Sequence, residues 1–66
     1  MNEIIQKILN ERLSVELRYE NLRKFKKTKK FDDLDKQMKQ MINIQEAIMK
    51  SYIEILTLRY MYLKRG

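Results

Sequence analysis

The stretch FDDLDKQMKQMINIQEAIMKSYIEILTLRYMYL, Phe31 to Leu63, decides the fold. Phe31, Leu34, Met38, Met41, Ile48, Tyr52, Ile55 and Tyr62 fall on alternating three- and four-residue steps that only Gln45 and Arg59 interrupt. That spacing is the heptad seam of a helix burying one face against other helices. Beside it runs a second seam, Ile42, Met49, Leu56 and Leu63, each seven residues from the next, with Ile53 and Tyr60 alongside. A helix with two apolar seams needs two neighbours.

The first half of the chain supplies one of them. There is no proline, and the one glycine is Gly66, so nothing in the interior carries loop punctuation and long helices are the default. A first helix is expected over residues 2–26. Ile4, Ile5, Ile8, Val15, Tyr19 and Leu22 lie within roughly 100° of one another on a 3.6-residue wheel, and Leu9, Leu13 and Leu17 form a stripe beside them. A face that broad fits contact with two helices, as in a four-helix bundle. Charge order agrees: Glu3–Lys7, Glu20–Lys24, Asp32–Lys36, Asp35–Lys39 and Glu46–Lys50 each set an acid four residues before a base.

Between the helices lies KFKKTKKFDD, residues 24–33. The bases close helix one, where the dipole is negative, and the acids open helix two, with Asp32 or Asp33 as its N-cap. The expected layout is helix 2–26, basic turn 27–31 and helix 32–63, all in one hairpin domain spanning 1–66. A single continuous helix is the rival, because no residue in the turn forbids it. Reversal at residue 29 would bring Val15 near Ile44, Ile8 near Ser51 and Ile5 near Ile53.

Sixty-six residues make a small core, and small domains are usually reinforced by disulfides, a metal or a partner chain. With neither cysteine nor histidine, disulfides are excluded and a metal site would need carboxylates alone; no metal or cofactor is expected. Oligomerisation remains. The expected fold class is all-α: an antiparallel helical hairpin that dimerises into a four-helix bundle. The expected dimer interface is Leu9, Leu13, Leu17, Ile42, Met49, Tyr52, Leu56 and Leu63, the surface that the hairpin's own helices leave over.

The net charge of +6 favours polyanions or simply solubility. Arg23, Lys24, Lys26, Lys27, Lys29 and Lys30 put six cations into eight residues, bracketed by Phe25 and Phe31. One reading is a nucleic-acid interface in which the cations neutralise phosphates and the aromatics stack on bases. The blander reading is a solvated turn whose cations satisfy a helix C-terminus and whose phenylalanines close the core. Arg12, Gln45 and Arg59, in or beside the apolar stripes, read as register-fixing polar groups, with Arg12 reaching Glu46 across the hairpin. Most of the five methionines read as core; Met61, off both seams, is the exception.

Catalysis finds no foothold: no His, no Cys, no glycine-rich phosphate loop and no nucleophile with a visible base. No stretch reaches the roughly twenty apolar residues of a bilayer span. No routing signal is legible, so a cytoplasmic location is expected, or a host cytoplasm for a virally encoded chain. The function expected first is a non-enzymatic homodimeric adaptor or regulator binding another macromolecule, with an unidentified protein as the expected partner. Nucleic-acid binding through the basic turn is the second, and attachment to anionic membrane is a weaker third. In architecture alone the expected dimer resembles the Rop-type hairpin bundles of plasmids and the small helical regulators of phages and archaeal viruses; no shared motif transfers any residue role.

Overall fold

The computed structural model describes residues 2–65, so the two end residues of the expected 1–66 domain lie outside the described residues. Three helices follow in order: α1 (Asn2–Phe25), α2 (Lys29–Asp32) and α3 (Lys36–Arg65). Among the described residues there is no strand. The two long helices pack against each other, which sets aside the continuous-helix alternative.

The connection is longer than the expected turn at 27–31, and its hydrogen bonds explain why. The Thr28 hydroxyl donates to the Phe25 carbonyl (2.7 Å) and accepts from the Phe31 N–H (3.4 Å), tying the end of α1 to the single turn of α2. Asp32 and Asp33 were the expected caps of the second long helix. Their N–H groups instead donate to the carbonyls of Thr28 (3.3 Å) and Lys29 (3.0 Å), so both belong to α2 and its end. Asp35 is the cap in their place: its Oδ1 accepts from the Met38 N–H at 2.8 Å, and its carbonyl accepts from Lys39. Helix three therefore starts at Lys36 rather than 32 and extends through Arg65.

The later start shifts the register. Glu46, expected opposite Arg12, lies opposite Arg23, about three turns further along α1, and Lys26, just past its end. Arg12 pairs locally instead, its Nε 2.7 Å from Glu16 Oε1, in an ion pair that leaves the N–H unaligned for a hydrogen bond. The pairings expected for Val15 with Ile44 and Ile8 with Ser51 are replaced by one cluster in which Ile8 and Val15 close on Leu56. Met49, Ile53, Tyr60 and Leu63 pack around these three.

The five acid-before-base pairs do not close to ion-pair distance among the described residues, which hold three ion pairs, all engaging Glu16 or Glu46. Asp32 and Lys36 sit on different helices, and Glu46 is taken by Lys26. Of the remaining partners Lys39 is half-buried with its ammonium over the Phe31 ring, and the others are exposed, where holding two long side chains together costs about as much entropy as the pair returns.

The molecule is a rod of 48 × 15 × 13 Å with a radius of gyration of 15.1 Å. A compact domain of this length would have a radius of about 11 Å. Elongation leaves much of each helix without a neighbour.

Candidate binding surfaces

Three surfaces could carry function: an apolar seam on α3, a leucine stripe on α1, and the basic connection.

Helix α3 presents its two seams in the reverse of the expected roles. Met49, Leu56 and Leu63, assigned to the dimer interface from the sequence, face α1: Leu56 is fully buried and the other two pack against it. Ile42, seven residues before Met49, is half-buried on the same face. The seam expected to be the hairpin's own core lies open, with Met41 59%, Ile48 64%, Ile55 49% and Tyr62 74% exposed. Only Tyr52, at 39%, belongs both to the expected interface and to this open seam. Ile44 and Leu58 widen the open apolar surface. The physical reason is register. Moving the cap of α3 from Asp32 or Asp33 to Asp35 turns the other seam toward α1.

On α1 the stripe Leu9, Leu13 and Leu17 stays available as expected, half-buried at Leu9 and exposed at Leu13 and Leu17. Its direction is not the one a symmetric bundle needs. On an ideal wheel Ile4 and Arg23 flank Ile8 on opposite sides, by about 40° and 60°. Ile4 shares a shallow groove with Arg59, Tyr62 and Leu63, whereas Arg23 reaches Glu46. These contacts fix the handedness. The open α3 seam lies on the Ile4 side of the hairpin, and the leucine stripe turns to the Arg23 side and the back.

The basic connection divides into engaged and open cations. Lys26 Nζ is 2.8 Å and Arg23 Nε 3.9 Å from the Glu46 carboxylate, and the Arg23 guanidinium lies over the Tyr19 ring at 5.7 Å. Lys24, Lys27, Lys29 and Lys30 are exposed, with no ion pair among the described residues. Phe25 and Phe31 meet edge to face, centroids 6.1 Å apart, and the Lys39 ammonium sits 5.8 Å over Phe31. Their rings close the end of the hairpin, which leaves them poorly placed to stack on bases. Glu46, which organises this end, carries no motif that singles it out in the sequence; nothing short of the register would have found it.

Comparison with known families adds one result. The Sequestin family matches residues 2–62. The chain belongs to the Sequestin family. The Sequestin match spans α1, α2 and most of α3, so the family character covers the whole hairpin rather than one helix. Neither curated proteins nor solved structures give a match to the chain. Among the described residues no group of three or more Asp and Glu side chains is arranged to hold a metal ion, and no helix is long and apolar enough to cross a membrane.

Proposed function

We propose that the hairpin is a non-enzymatic homodimeric adaptor or regulator, acting by helix-against-helix binding of another macromolecule. One observation carries the reading: the hairpin has two apolar faces with no partner among the described residues, and they point to different sides. One is the open α3 seam and the other holds Leu13 and Leu17. Exposed apolar surface of this extent marks interaction sites in soluble proteins, and amphipathic helices bind through residues at such spacing. Three buried side chains among the described residues are also a thin core for a chain of this length. Burial of a whole face against a second copy adds the missing apolar contact. The absence of His, Cys and glycine-rich loops supports a role without catalysis.

Sedimentation velocity across a micromolar concentration series tests the assembly, with a reversible dimer as the expected result. A folded monomer throughout that range would remove the homodimer. Leu13→Glu together with Leu17→Glu tests recognition: the variant should keep the helical content and self-association of the parent and lose the bound macromolecule. Retention of that partner would place recognition elsewhere.

A second reading, nucleic-acid binding, is favoured by the four open lysines of the connection. Anisotropy titration with generic RNA and DNA should then show binding that weakens with salt along a log–log slope of about −3 to −4, as four phosphate contacts require. Lys24, Lys27, Lys29 and Lys30 changed together to Gln should flatten it. Undetectable affinity at low salt sinks this reading.

A further inference from the structure

We infer that the open α3 seam pairs with the same seam of a second copy, that the two α3 helices run antiparallel, and that Gln45 of each copy lies within reach of Arg59 of the other. This rests on the homodimer proposed above and adds the face, the direction and the contact that sets them.

The seam is long enough to serve. Met41, Ile48, Tyr52, Ile55 and Tyr62 are between 39% and 74% exposed. With Ile44 and the stem of Arg59, this amounts to about 700 Å² of coverable surface per copy, close to the roughly 800 Å² per partner of a stable interface. The leucine stripe of α1 offers two strongly exposed leucines and falls well short.

Direction follows from the two polar interruptions. In heptad terms Met41, Ile48, Ile55 and Tyr62 occupy d, and Gln45, Tyr52 and Arg59 occupy a. A parallel pair stacks a on a, which presses Arg59 against its own copy in an apolar seam. Two like charges there repel with no acid at hand. Glu46 already holds Lys26 and Arg23, and Glu54 lies on the other side of α3, where it lines a groove with Ile53, Thr57 and Leu58. An antiparallel pair stacks a on d. Of the registers that do so, the two that overlap the seams most fully set Arg59 level with Met41 or with Ile48 of the second copy. Gln45 lies between those residues in sequence, about 4–6 Å along the axis from either level. Its amide oxygen can accept from the guanidinium, and Arg59 has no ion pair of its own among the described residues. Antiparallel pairing also holds the two lysine-rich connections about 40–50 Å apart, several Debye lengths at physiological salt. Parallel pairing brings them together.

The chain has no cysteine, so a single introduced thiol gives one label site. Spin labels on Gln40→Cys, an exposed position off the seam, should report an inter-copy distance of about 30–40 Å, against under about 20 Å for a parallel pair. Gln45→Glu should tighten the dimer about three- to tenfold at low salt, and Arg59→Gln in the same chain should abolish the gain. Ile48→Glu should weaken the dimer more than about tenfold by burying an unpaired carboxylate. A short label distance, or weaker association on Gln45→Glu, overturns the antiparallel assignment. A dimer indifferent to Gln45→Glu and Ile48→Glu but lost on Leu13→Glu overturns the whole inference while leaving the homodimer standing. A chain that remains a folded monomer at all concentrations removes the homodimer itself, and this inference with it.

Discussion

Leu56 has no solvent-exposed surface, and Ile8 and Val15, which close over it from α1, are at 3% and 8%. No other side chain among the described residues is as enclosed, so the joint between the long helices depends on this contact. Leu56→Ala should cost about 2–5 kcal/mol, toward the upper end if the rod cannot collapse into the cavity. Urea denaturation followed by circular dichroism reads the change. Ile48→Ala serves as the contrast. Ile48 is 64% exposed in the hairpin, so its truncation should hardly alter the packing of α1 on α3 and should act on self-association instead. Equal losses of hairpin stability at the two positions would contradict the assignment of the seams.

At the scale of the elements, the sequence was readable where one spacing has one consequence. The absence of proline and internal glycine, together with the apolar spacing, gave two long helices, and α1 ends within a residue of expectation at Phe25. Of the expected stripe, Ile5, Ile8, Val15, Tyr19 and Leu22 are buried or half-buried, whereas Ile4 is left 50% exposed at its edge. The choice between the two α3 seams was not readable, because both are apolar, both run the length of the helix, and periodicity does not say which is used at home. That choice is made in the connection. Three aspartates stand within four residues, each an acceptable cap by composition, and α2 consumes Asp32 and Asp33. The basic run was legible as the end of the hairpin. The pairing of Phe25 with Phe31 and the capture of Arg23 and Lys26 by Glu46 depend on register and were not. Asp35→Ala tests the element directly. Loss of the side-chain acceptor for the Met38 N–H should destabilise the first turn of α3 by about 1 kcal/mol. Hydrogen exchange should show faster opening at residues 36–39, with little change around Leu56. Unaltered protection there would mean that packing, rather than the cap, sets the start of the helix.

At the scale of the whole molecule, a rod 48 Å long has more surface than a compact domain of equal mass, and the apolar part of that surface is concentrated on two faces. A chain of this kind should gain stability from its own concentration. The melting temperature, followed by circular dichroism, should rise by several degrees for each tenfold increase in protein, because association draws on the folded state alone. A melting temperature independent of concentration would mean that the hairpin stands without a partner.

The different directions of the two apolar faces carry a consequence for valency. Two-fold pairing through the α3 seam consumes that face in both copies and returns two leucine stripes, one per hairpin, on the outside of the assembly. Such a dimer is bivalent. A target with a single site would feel only the affinity of one stripe, whereas a target that is itself dimeric or repetitive would be held with an effective concentration set by the spacing of the stripes, and released once the α3 seam is broken.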